Sequence, residues 1–271
     1  MKLATQSVDL NADLGEGYGP YKMGDDLAML DIVSSANVAC GFHAGDPNIM
    51  AATFQAAAKR GVAIGAHPGF ADLANFGRRK LPVSPAEIER IVAYQVGAAC
   101  AVAALAGHRI TYVKAHGALG NMAEQDEAIS RAIARGVKAV DPALKSLAIA
   151  ATWSERGALA EGLDVAAEIF ADRAYQPDGT LRPRDLPGAV LHDAQAISQR
   201  IIAMLQEQAI IAIDGTRIPT RIDSICLHGD TQGAVAIAAT LKLALQQHGY
   251  VIIPFTQTAA QVQARSTHDG R

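Results

Sequence analysis

No Cys-x-x-Cys pair, zinc-finger spacing or His-Glu-x-x-His signature occurs in this chain, and its three cysteines, Cys40, Cys100 and Cys226, form an odd and widely spaced set. A structural zinc and a secreted disulfide framework are therefore not expected, and the thiols suit a reducing, cytoplasmic setting. Nor is there a block of lysines and arginines interleaved with aromatics. The 24 basic residues against 27 acidic ones leave a formal charge of −3, so nucleic acid is not an expected partner. The segment from Met1 to Glu16 lacks the apolar stretch of an export signal. A Gly-x-x-x-x-Gly-Lys-[Ser/Thr] loop is also missing, and Gly15-Glu16-Gly17-Tyr18-Gly19 runs into Pro20 rather than completing Gly-x-Gly-x-x-Gly. Any nucleotide would have to be held by another device. The stretch from Ile91 to Gly107 is apolar but rich in alanine, and contains Tyr94 and Gln95. It reads as a helix packed in a core, not as a membrane span.

What is present is an alternation. Short apolar runs of strand length (7–11, 34–39, 62–66, 110–114, 146–150, 165–170, 224–227 and 250–253) are separated by longer helical stretches (47–60, 85–106, 126–140, 194–208 and 233–248). That is the pattern of parallel strands joined by crossover helices, and a chain of 271 residues, 50% of them hydrophobic, is long enough for one α/β barrel domain. The expected barrel spans residues 1–255, with an excursion rich in Pro, Gly and Arg at 172–191 that reads as a hairpin or lid, and a polar tail at 256–271.

The polar residues fall in bursts at the ends of strand candidates: Asp9 to Asp13, Cys40 to Asp46, His67-Pro68, Lys114 to Gly117, Glu168 to Arg173, and His228 to Asp230. In a parallel barrel the carboxyl ends of all strands meet at one face, so these bursts would converge. Residues two apart on a strand share a side. Asp9, Asn11 and Asp13 therefore share a face, as do Lys114 with His116, Glu168 with Asp172, and His228 with Asp230. Lys114 lies in an apolar run, where an ammonium needs an anion: either a structural Asp or Glu, or a phosphate or oxyanion bound there. Arg78 and Arg79 are either a solvated pair or a fork for a carboxylate or phosphate. Asp9, Asn11 and Asp13 with His43, His67, His116 and His228 could supply an oxygen-and-imidazole site for a divalent metal, or could hold substrate and one another by hydrogen bonds; the spacing does not choose. A homo-oligomer is left equally open.

At these residues the sequence resembles the LamB/YcsF family. The similarity is carried by Asp9-Leu10-Asn11-Ala12-Asp13-Leu14-Gly15-Glu16-Gly17, Ala39-Cys40-Gly41-Phe42-His43-Ala44-Gly45-Asp46-Pro47, Gly65-Ala66-His67-Pro68, Phe76-Gly77-Arg78-Arg79, Lys114 with His116-Gly117, Phe170-Ala171-Asp172-Arg173 with Arg184, and Leu227-His228-Gly229-Asp230. Ala115 stands where the family pattern usually has Pro, and Gly120 where it usually has Tyr. The resemblance implies a single parallel β/α barrel of seven strands, distorted and similar to the polysaccharide-deacetylase type. It also implies an ATP-coupled opening of the lactam 5-oxoproline to glutamate, with Mg as the counter-ion of ATP and with two partner subunits, B and C.

Under that reading the expected catalytic residues are Asp13, His67, Lys114, His116, Asp172, His228 and Asp230. The expected substrate- or phosphate-binding residues are Asp9, Asn11, Glu16, His43, Asp46, Arg78, Arg79, Arg173 and Arg184. Two alternatives remain at this point: a metal-dependent amide hydrolase or deacetylase that needs no ATP, and a non-catalytic binding subunit of a lactam-utilisation complex.

Overall fold

A computed structural model describes residues 6–229 and 233–257. In chain order its elements are β1 (Ser7–Leu14), α1 (Asp26–Leu30), β2 (Ser35–Ala39), α2 (Pro47–Arg60), β3 (Ala63–His67), α3 (Pro85–Leu105), β4 (Ile110–Val113), α4 (Gly117–Gln125), α5 (Glu127–Val140), β5 (Lys145–Ile149), α6 (Trp153–Ala160), β6 (Val165–Phe170), α7 (Ala194–Glu207), β7 (Ala209–Ile211), β8 (Arg217–Pro219), β9 (Ser224–Leu227), α8 (Ala234–Gln247) and β10 (Val251–Ile252). Strands β1, β2, β3, β4, β5, β6 and β9 pair in parallel in that order, and β9 returns to β1. The result is a closed barrel of seven strands, with β10 added to the start of β1 and an antiparallel β7–β8 hairpin outside the ring.

Local chemistry fixes where the helices begin. Asp46 accepts hydrogen bonds from the Asn48 and Ile49 amides with Pro47 in the first helical position, and Ser84 and Glu87 form a reciprocal capping box ahead of α3. Each satisfies amides that a helix start leaves without partners. Helix α3 is long and apolar enough to cross a membrane by length and composition. Here it lays Ile88, Val92, Val96, Ala99 and Ala103 into the core and packs against α5.

The apolar core lies between the strands and the helices: Leu10, Ala12, Leu14, Ala36, Val38, Ile64 and Ala66 point outward from the ring and are buried. The opposite faces of the same strands fill the barrel with polar groups. Two residues of strand advance about 6.6 Å, so these groups form layers. At the amino-terminal end, the Asp9 carboxylate accepts from the hydroxyls of Ser34, Ser35 and Ser224. Above it Asn11 donates to Glu168 (2.8 Å) and Ser224 (2.7 Å), while Asn37 donates to Asn11 Oδ1 (2.7 Å) and Tyr112 Oη donates to Asn37 Oδ1 (2.8 Å). Tyr112 also packs with Leu147, Ala166 and Phe255, which plug that end. Its ring leaves no room opposite: a Cβ on Gly65 would lie 2.3 Å from Tyr112 Cε2.

The 172–191 excursion leaves the end of β6 and folds back on itself. The Leu191 amide donates to the Asp172 carbonyl and the Ala174 amide to the Ala189 carbonyl.

Candidate functional site

The carboxyl-terminal ends of the strands open into a cavity of about 530 Å³ lined by Asp13, His67, Lys114, His116 and His228, together with Arg78 and Arg184. At its base the Lys114 ammonium is buried between two carboxylates, 3.2 Å from Asp13 Oδ1 and 3.0 Å from Glu168 Oε1, and 3.0 Å from the Cys226 thiol. Both sequence readings of Lys114 meet here: it is ion-paired, and it faces a cavity. Burial works against the ammonium, but the surrounding anions outweigh it and hold its pKa well above the ordinary lysine range. Burial likewise opposes ionisation of Asp13, yet His67 and Lys114 hold that carboxyl well below its usual range. Glu168 is pushed up by burial despite Lys114. Nζ also stands 5.0 Å from the centre of the Phe170 ring.

On one wall, His228 stacks on Phe170 with ring centres 5.4 Å apart. Its Nδ1 lies 2.9 Å from both Asp172 oxygens. A carboxylate only accepts, so Nδ1 carries the hydrogen and Nε2 is the nitrogen left for other partners. Burial disfavours the Asp172 anion, but the neighbouring His228 lowers its pKa below the ordinary value.

On the other wall three histidines meet. His67 Nε2 lies 3.0 Å from His116 Nδ1, and the His43 and His116 rings stack at 3.6 Å between centres. His43 Nε2 is 3.2 Å from Glu16 Oε1. Burial, then the adjacent imidazoles, hold His43 and His116 well below the usual histidine range.

The structure therefore brings Asp13, Glu16, His43, His67, Lys114, His116, Asp172 and His228 into one region, with Arg78, Arg173 and Arg184 at the cavity wall. Arg173 is buried and donates to the Ala189 and Arg182 carbonyls, which ties it to the excursion. Four expected residues sit elsewhere or do other work. Asp9 is near the opposite end of the barrel, in a smaller cleft, and its carboxylate is engaged by three serines. Asn11 belongs to the layer between and supports Glu168. Asp46 is the cap of α2, also accepting from the Gly19 amide. Arg79 pairs with Asp72 at 3.3 Å and is 64% exposed. Asp230 lies outside the described residues.

Other contributors are not among the expected site residues. Glu168 is visible in the sequence as the single charge in an otherwise apolar strand, a pattern that requires a buried partner. Glu124, on α4, lines the cavity and accepts the Leu181 amide through Oε2. Burial pushes its pKa up to about 7. Nothing in the sequence separates it from a surface glutamate at the end of a helix. The two positions that depart from the family pattern touch: a Cβ on Gly120 would lie 2.8 Å from the Ala115 carbonyl oxygen, so this backbone excludes a tyrosine there.

Comparison with known proteins places these features in a family. Residues 8–260 match the LamB/YcsF family model. The 5-oxoprolinase A subunit of Azorhizobium caulinodans is 57% identical over 249 residues, 92% of this chain and 98% of the relative. That of Gluconobacter oxydans is 54% identical over 254 residues, 94% of this chain and all of the relative. The crystal structure of a lactam utilization protein from Thermus thermophilus superposes with a TM-score of 0.86 at 41% identity, covering 92% of this chain and 99% of that one.

Proposed function

Because the chain belongs to the LamB/YcsF family, we propose that it is the A subunit of a 5-oxoprolinase, which opens the lactam of 5-oxo-L-proline to L-glutamate at the expense of ATP. In this reading Mg2+ accompanies the nucleotide, and turnover requires partner subunits B and C. The names of the relatives support the reaction. The observation that carries this chain's share of it is the buried Lys114 ammonium at the base of a cavity whose wall holds the Asp172–His228 pair.

An unstrained five-membered lactam keeps its amide resonance, so its ring carbon is a poor electrophile. Transfer of the γ-phosphoryl group of ATP to the lactam oxygen releases ADP and leaves an imidate phosphate. Water adds to the ring carbon and gives up a proton to His228 Nε2. The C–N bond then breaks as the ring nitrogen takes that proton, leaving an acyl phosphate. A second water hydrolyses this to the glutamate side-chain carboxylate and inorganic phosphate. Lys114 and Arg78 stabilise the negative oxygens, Asp172 holds His228 in the tautomer that accepts a proton, and Arg184 pairs with the substrate carboxylate. His67 and His116 suit this proton transfer less well. Each has one nitrogen at a backbone carbonyl and the other turned toward the partner ring.

The test is to combine the chain with its B and C partners, supply 5-oxoproline and ATP, and measure glutamate and ADP together. Equal yields, abolished by Lys114→Met, are expected. Glutamate formed without ATP would reject the coupled reaction, and an unimpaired Lys114→Met enzyme would reject the place given to the ammonium.

A further inference from the structure

The hydrogen positions on the histidine wall are constrained by backbone carbonyls. His67 Nδ1 lies 2.8 Å from the Lys114 carbonyl oxygen, and His116 Nε2 lies 2.8 Å from the Phe76 carbonyl oxygen. A carbonyl can only accept, so both of these nitrogens carry their ring's hydrogen. In neutral rings the remaining nitrogens are lone pairs, and these are the two that face each other at 3.0 Å. Two more acceptors close on the same point: Glu16 Oε1 is 3.5 Å from His116 Nδ1, and Asp13 Oδ2 is 3.4 Å from His67 Nε2. Something positive belongs among them, and a cation engages all four atoms where a proton between the rings engages two.

We propose that His67 Nε2, His116 Nδ1 and Glu16 Oε1 bind one divalent transition-metal ion, with Asp13 Oδ2 beside them as a fourth oxygen. Metal–ligand bonds of about 2.0–2.2 Å set neighbouring ligand atoms about 3.0–3.6 Å apart, from cis-octahedral to tetrahedral arrangements. All three observed separations fall in that interval. Two imidazoles with carboxylate oxygen are a donor set for ions such as zinc, iron, cobalt or nickel. Backbone carbonyls on the far nitrogens are the supports that keep ligand histidines in the metal-binding tautomer.

His43 is the near neighbour that does not fit as a ligand. Its ring is parallel to that of His116, within 4° at 3.6 Å, so an ion in the plane of His116 lies well out of the plane of His43. Its Nε2 instead steadies Glu16. His67 and His116 line the cavity, so an ion there is open to a small molecule entering from that side. The inference rests on this geometry and not on the lactam reading.

The test uses the full chain, stripped with a chelator and titrated with Co2+ while visible absorption is recorded, with zinc content measured in parallel after equilibration with Zn2+. One equivalent per chain is expected, with a ligand-field band that saturates at that ratio. His67→Ala and His116→Ala are each expected to weaken binding at least tenfold, while Glu124→Gln leaves it unchanged. No saturable uptake by the wild-type chain would overturn the proposal, and so would uptake unchanged in the double variant. The wild-type titration decides even where a variant fails to fold.

Discussion

Glu124→Gln is expected to stabilise the protein at alkaline pH and to do little in acid. Oε2 of this side chain takes the Leu181 amide, but Oε1 is buried with no hydrogen-bond partner, which burdens a carboxylate far more than a neutral group. Its pKa rises from an ordinary 4.5 to about 7, through burial first and despite Arg173. Between those values the folded chain keeps a proton that the unfolded chain has released, so stability falls as pH climbs from about 4.5 to about 7 and is level beyond. At about 1.4 kcal/mol for each pKa unit, the full cost is about 3 kcal/mol at pH 8 and under about 1 kcal/mol at pH 5. Glutamine keeps the acceptor for Leu181 and removes the charge. Thermal melts should show the variant higher by roughly 6–12 °C at pH 8, since 1 kcal/mol moves the midpoint of a domain of this size by about 2–4 °C. At pH 5 the gap should shrink to a few degrees. An equal difference at both pH values, or a variant less stable at pH 8, would refute the argument that a buried charge is the cost.

Lys114→Met leaves the Asp13 and Glu168 carboxylates buried without their shared cation, and should lower stability by about 3–5 kcal/mol in denaturant titrations. Replacing Lys114 together with Asp13 and Glu168 by neutral residues should recover part of that loss. Asp172→Asn keeps the shape beside His228 but loses the acceptor that orients it. In the assembled enzyme kcat should fall on the order of 10²-fold or more with KM little changed, and a fall in kcat/KM through KM alone would argue against a proton-transfer role. Asp9→Asn and Asp13→Asn make the same change on the same side of one strand. Only the second should abolish glutamate formation, with Asp9→Asn within about threefold of wild type, because four strand residues put the two carboxyls about 13 Å apart. Equal losses would sink the division of the barrel interior into layers.

That pair marks the boundary of what the sequence discloses. Alternation along a strand fixes which side a residue faces, so Asp9, Asn11 and Asp13 are legible as one inward set. Depth along the barrel depends on how far each strand is staggered against its neighbours, and only the pairing of Asp9 with Ser224 and of Asn11 with Cys226 reveals it. All eight strand candidates overlap observed strands, because buried parallel strands are continuous apolar runs bounded by turn residues. Helices α4 and α6 and the β7–β8 hairpin are not legible in the same way, being short and set in sequence with little periodicity. Asp46 carries its own signal, an Asp directly before a Pro at a helix start, which is the chemistry of a cap.

The histidines show the converse case. Their presence at strand ends is plain, but which nitrogen each one offers depends on the carbonyls of Lys114 and Phe76, and backbone atoms leave no trace in residue identity. Those two hydrogen bonds turn His67 and His116 from candidate bases into a pair of facing lone pairs, and leave His228, whose hydrogen is held by Asp172, as the imidazole free to take a proton.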